Sequence, residues 1–110
     1  MIRPLTPEAA ELIGRRFQAL SDPTRLRILD ALREREEASV SELTELLGAS
    51  QQNISKHLAA LQAEGFVSRR KEKTRSLYRI ADPAVHELCE QVCSGIEVQL
   101  AQLGAVLSER

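Results

Sequence analysis

Apolar residues recur at helical spacing along most of this chain, and one stretch switches to strand-like runs. Ala10, Ile13, Phe17 and Leu20 share one side of a helix predicted from Pro7 to about Leu20. Leu26, Leu29 and Leu32 point inward from a second helix, predicted from Pro23 to about Arg33. Val40, Leu43, Leu46 and Leu47 mark a third, and Ile54, Leu58 and Leu61, spaced i, i+4, i+7, mark a fourth. Residues 66–70 and 76–80 favour β structure around a polar turn, which predicts a hairpin with a mobile tip. The last pattern is a long helix over residues 83–108, with Val85, Leu88, Val92, Ile96, Leu100, Leu103 and Leu107 on one stripe.

Local punctuation agrees with these boundaries. Thr6-Pro7, Asp22-Pro23 and Asp82-Pro83 each place a capping oxygen before a proline suited to the first helical position. Ser39 with Glu42 fits a capping box for the third helix. Gly48 can take the left-handed conformation that ends it. Ser50 then caps the fourth helix, and Gly65 ends that one. The expected fold is mainly α with a β-hairpin: helices 1–4, the hairpin and a long C-terminal helix, in a single domain over residues 1–110.

Residues 39–65 read as helix, tight turn, helix, followed at once by the hairpin. With Ile54, Leu58 and Leu61 inward, Gln52, Ser55, Lys56 and Ala59 face outward. Amides, a hydroxyl and one cation with small side chains between them suit the floor of a DNA major groove. An ordinary solvated helix face carries more Glu and Lys. Sequence-specific DNA binding is therefore the expected function.

A formal net charge of −1 looks wrong for that role until its distribution is read. Residues 66–80 hold six cations (Arg69, Arg70, Lys71, Lys73, Arg75 and Arg79) against Glu72, a net +5. Residues 81–110 hold five carboxylates against Arg110, a net −4. One end can touch phosphate while the other faces solvent or a second subunit. A merely solvated hairpin is the plainer alternative, but six cations in fifteen residues is dense for it.

Aromatic residues make up 3% of the 110, so aliphatic side chains must fill a modest single core. No apolar run is long enough to span a bilayer and no signal-peptide pattern is present, so a cytoplasmic protein without a membrane partner is expected. Its two cysteines are then expected to be thiols rather than a structural disulfide. His57 and His86 lie on different predicted helices, neither cysteine sits at an expected helix N-terminus, and no glycine-rich phosphate loop appears. An enzyme is not expected. The last helix is longer than one small domain can cover, which favours packing on a second copy over packing within the chain.

The order of elements, the string ALSDPTRLRILDAL (19–32), the run SELTELLGASQQNISKHLAALQAEGFV (41–67) and the basic hairpin together resemble the ArsR/SmtB family of winged helix-turn-helix transcriptional repressors. The similarity covers about residues 12–90. It implies a homodimer paired through the first and last helices, bound to operator DNA of two-fold symmetry and released by an inducer, commonly a metal or metalloid. It divides the chain into a helix-turn-helix (39–65), a wing (66–80) and a dimerisation helix (83–108). By position, Ser50, Gln51, Gln52, Ser55 and Lys56 would contact bases. Lys71, Lys73 and Arg75 would meet phosphates or a minor groove. His57, about 60° from Ile54 at the helical 100° per residue, reads as a packing histidine. A winged helix used only for protein contact is the alternative, and the basic wing and amide-rich face argue against it.

The sensing side departs from the family pattern. Ser39, Ser41 and Thr44 stand where arsenic-sensing members carry cysteines, and hydroxyls are poor ligands for soft ions. Asp82 fits one zinc-ligand position, but Ala84, Gly95 and Val98 stand where further ligands are needed, so Asp82 reads as a helix cap. What remains is HELCEQVC, residues 86–93. His86, Cys89 and Cys93 lie on neighbouring turns of one helix face. They could hold a soft metal or trivalent metalloid, or form an intersubunit disulfide, or respond to oxidant or reactive sulfur. Equally, the cysteines could pack as small apolar residues. The sequence leaves the cofactor unknown.

Overall fold

The computed structural model describes residues 4–108, with side chains through residue 104. The order is α1 (Pro7–Ala19), α2 (Pro23–Arg35), β1 (Ala38–Ser39), α3 (Val40–Leu47), α4 (Gln51–Ala63), β2 (Val67–Glu72), β3 (Arg75–Ile80) and α5 (Ala84–Ser108). Each helix starts on an oxygen that satisfies an orphan N–H. Thr6 Oγ1 accepts from Ala9 N at 3.1 Å, and Asp22 Oδ1 accepts from Thr24 N and Arg25 N at 2.8 and 3.1 Å. Ser39 and Glu42 close their box with bonds of 3.1 and 3.0 Å. Ser50 Oγ accepts from Asn53 N at 3.1 Å, and Asp82 Oδ1 accepts from Ala84 N at 3.0 Å.

The core is aliphatic. Ile28, Leu32, Leu43, Ile54, Leu58 and Leu61 are its largest fully buried side chains, joined by Phe66, Val67, Tyr78 and Val85. Burying each such side chain is worth about 1.5–3 kcal/mol, so this cluster, drawn from α2, α3, α4, the sheet and the start of α5, holds these elements together.

Four expectations change. The hairpin gains a third strand: β1 pairs antiparallel with β3 in the order β1-β3-β2, Ala38 opposite Tyr78 and Ser39 opposite Leu77. The strands run further than 66–70 and 76–80, so the tip shrinks to Lys73 and Thr74, with Lys73 at φ 58. Helix α2 continues to Arg35 and stops at Glu36, whose φ of 69 breaks it. Leu26, expected inward, is 41% exposed, because it faces the groove between α2 and α5 rather than the core.

On α1 the buried residues are Ala9 and Ala19, while Ile13 and Phe17 are exposed. Leu88, Val92, Ile96, Leu100 and Leu103 are exposed along α5. Leu107 lies outside the residues whose side chains are described. The radius of gyration is 17.1 Å, well above the roughly 13 Å of a compact domain this long. A helix of 25 residues reaches about 37 Å and runs beyond the core. No helix among the described residues is long and apolar enough to cross a membrane.

Candidate nucleic-acid interface

Gly48, at φ 68 and ψ 25, ends α3 and turns the chain into α4 within three residues. Helix α4 then splits cleanly. Ile54, His57, Leu58 and Leu61 are buried, while Gln51, Gln52, Ser55, Lys56 and Ala59 are exposed. Gln52, Ser55 and Lys56 thus share one open face in the N-terminal half of the helix. Ser50 lies beside them, but its hydroxyl already caps Asn53 N.

His57 is a structural residue, 7% exposed. Arg25 Nε donates to its Nδ1 at 3.0 Å, and Arg25 Nη1 donates to the Ala19 carbonyl at 3.2 Å. The imidazole Nε2 lies 3.8 Å from Asp22 Oδ1. The Asp22 carboxyl is held below its usual value, first by the Arg25 backbone N–H. Arg25 and His57 are 32 residues apart, and nothing local signals their pairing.

The wing cations divide into two groups. Arg70 grips Glu37 bidentately, Nε to Oε2 at 2.8 Å and Nη2 to Oε1 at 2.7 Å, and reaches Glu72 at 3.1 Å. Arg75 lies 3.7 Å from both Glu42 and Glu72. These contacts fasten the wing to the segment that starts α3. They hold the Glu37 carboxyl low through Arg70 and raise the Arg70 guanidinium. The Glu42 carboxyl is held low first by the Ser39 backbone N–H. Alternation puts Arg69 and Lys71 on the other side of β2. Among the described residues Lys56 and the wing cations Arg69, Lys71, Lys73 and Arg79 are exposed and in no ion pair. Of the three wing residues expected at phosphate, then, Lys71 and Lys73 are open and Arg75 is engaged.

A helix-turn-helix domain model matches residues 20–70. The probable mercury resistance operon repressor of Streptomyces lividans is 40% identical over 75 residues, which cover 68% of this chain and 59% of that protein. The crystal structure of the Mycobacterium tuberculosis protein Rv0081 superposes with a TM-score of 0.79 at 31% identity, covering 89% of this chain and 97% of that one. The homodimeric winged helix-turn-helix DNA-binding domain of a possible ArsR-family regulator from Mycobacterium bovis, solved in solution, gives 0.76 at 30% identity, covering 92% and 95%. The chain belongs to the ArsR/SmtB family of winged helix-turn-helix transcriptional regulators.

For an ArsR/SmtB protein the sensing side is sparse. Ser39 uses its hydroxyl in the capping box and Asp82 caps α5. His86, Cys89 and Cys93 line the groove between α2 and α5 with Leu26, Leu29, Asp30 and Arg33. Cys89 is half-buried and Cys93 exposed. Both thiols are pushed above their ordinary value. Burial dominates at Cys89, followed by the charge of Glu90. At Cys93 it is the charge of Glu97, whose Oε1 accepts from Sγ at 3.6 Å. Among the described residues no three His, Cys, Asp or Glu side chains come together as a metal site.

Proposed function

We propose that this ArsR/SmtB protein is a homodimeric repressor, paired through α1 and α5, that reads a two-fold-symmetric operator with α4. Residues 39–65 form the reading unit, 66–80 the wing and 83–108 the dimerisation helix. Gln51, Gln52, Ser55 and Lys56 take base edges, with Ser50 at the helix start. Lys71 and Lys73 take phosphate, and Arg75 mainly orients the wing. The observation that carries this reading is the division of α4: a fully buried Ile54–Leu58–Leu61 stripe opposite an exposed amide and hydroxyl face bearing a free lysine. A repressor's name in a relative supports the direction of regulation. The proposed setting is the cytoplasm, where its duplex partner is, and no catalytic step is assigned to it.

The test is fluorescence anisotropy of the purified dimer on duplex from its own promoter and on random duplex, across salt. Specific binding should exceed random binding by about 10³-fold or more, with log affinity falling linearly against log salt. Equal affinity for both would sink the reading.

A second reading concerns release. A two-thiol response at Cys89 and Cys93 is favoured by their place in a groove that continues the exposed apolar stripe of α5. A reagent that bridged or oxidised them there would act on the same surface that pairs the subunits.

A further inference from the structure

Arg16 does something the reading of α4 does not use. It projects from α1, and its guanidinium contacts three other parts of the fold. Nη1 donates to the Glu64 carbonyl at 2.6 Å. Nη2 donates to Asp82 Oδ2 at 3.1 Å. Cζ lies 4.5 Å from the centroid of the Phe66 ring. Each of these partners ends or begins an element. Glu64 is the C-cap of α4, Phe66 leads into β2, and Asp82 caps α5.

The chemistry suits the position. The last carbonyls of a helix lack intrahelical partners, and a cation there also complements the helix dipole. Gly65, at φ +79, turns the chain immediately after that carbonyl and would bring an added Cβ no nearer than 4.0 Å to Arg16 Nη1. Only a planar fork can serve the carbonyl and the carboxylate while stacking on an aromatic face. The Arg16–Asp82 pair is substantially exposed, at 44% and 34% of the side chains, and exposed pairs add little to stability. What the fork fixes is direction. It sets the end of the recognition helix relative to the two helices proposed to pair the subunits.

We propose that Arg16 is the positioning residue that sets the half-site spacing this dimer accepts, by holding the C-terminal end of α4 at a fixed angle to α1 and α5. This rests on the operator reading above. A dimer must match two half-sites one helical turn or a multiple apart, so a small rotation of α4 against the dimer helices moves both recognition faces relative to the groove. Arg16 itself reads no base. Its carbonyl partner lies about 18 Å along the helix from Gln52, at 1.5 Å per residue.

The experiment uses the full chain and a set of operators whose half-sites are separated by the native spacing, or by one base pair more or less, together with random duplex. In R16Q the preference for native over shifted spacing should fall at least about threefold, while affinity for random DNA and the salt slope stay those of the wild type. R16K restores the charge without the fork, and its preference should remain relaxed. D82N keeps the cap on Ala84 but loses the charged arm to α5, and should shift the preference in the same direction. A general loss of folding would lower every affinity together and leave the ratio unmoved. Sedimentation verifies that each variant is a dimer. A folded R16Q dimer with the wild-type ratio overturns the proposal. If R16Q fails to fold, a wild-type ratio in D82N overturns it. Failure of the wild type to prefer any operator spacing would instead remove the operator reading, and this inference with it.

Discussion

Arg25 Nε donates to His57 Nδ1 across 3.0 Å, joining the first turn of α2 to the middle of α4. In this bond Nδ1 is the acceptor and the guanidinium N–H the donor. The neighbours of His57, Ile54, Leu58 and Leu61, are fully buried, and little water can replace a lost partner. H57A should destabilise the fold by about 1–3 kcal/mol, since it leaves the Arg25 donor partly buried and unpaired. Urea unfolding measures this. A cost below about 0.5 kcal/mol, in the range of an ordinary surface substitution, would make the contact incidental.

Gln52 tests readout on the opposite face of the same helix. It is exposed and shares that face with Ser55 and Lys56. Q52A should cost about 1–3 kcal/mol on the operator and far less on random duplex, because a paired amide discriminates among bases. Equal losses on both duplexes would mean that the side chain only positions the backbone.

The wing offers a sharper contrast, because its cations are not equivalent. Changing Lys71 and Lys73 together to Ala should flatten the salt dependence of binding by up to about one unit per lost phosphate contact. R70A should leave that slope nearly unchanged, since Arg70 already grips Glu37 and Glu72. Its effect should appear as faster hydrogen exchange in β2 and β3. A flattened slope in R70A and none in the double variant would reverse the assignment.

Much of this architecture is legible in the sequence because helix caps and apolar periodicity are local signals. Thr6, Asp22, Ser39, Ser50 and Asp82 announce their helices from side chains that reach only two or three residues. Strand β1 was not legible. It has two residues, and its pairing with Tyr78 and Leu77 is decided about 40 positions downstream. The same limit hid Arg16, Arg25 and Glu37, whose partners lie 66, 32 and 33 residues away. Wing charge was countable from sequence, but not which cations were already neutralised. Exposure of Leu26 and Phe17 also could not be read, since periodicity gives a helix its apolar side without saying what covers it.

What covers α5 is the next test. Ile96, Leu100 and Leu103 are at least half exposed along one stripe. If a second copy packs there, L100E places an unpaired carboxylate in an apolar interface, which is strongly unfavourable. The variant should sediment as a monomer and lose operator binding. A wild type that is itself monomeric at micromolar concentration would remove the dimer from the proposal.

The thiols give a prediction with a definite sign. Glu97 holds Cys93 above the ordinary thiol value, and burial does the same to Cys89. A raised thiol pKa leaves less thiolate at any given pH, and thiolate is the nucleophile. Both cysteines should therefore alkylate more slowly than free cysteine near neutrality, with rates rising about tenfold per pH unit until the folded pKa is reached. E97Q removes the charge beside Cys93 and should accelerate that site alone. The Cys89 rate should hardly move, because its shift arises from burial and Glu90. Such thiols suit a soft cation, which displaces the proton as it binds, better than an oxidant that needs a thiolate waiting. If Cys89→Ser and Cys93→Ser both bind operator and release it like the wild type under every soft metal, metalloid and persulfide tried, the cysteines are packing residues of the α5 surface. If either abolishes release while leaving affinity intact, the groove between α2 and α5 is where the signal enters.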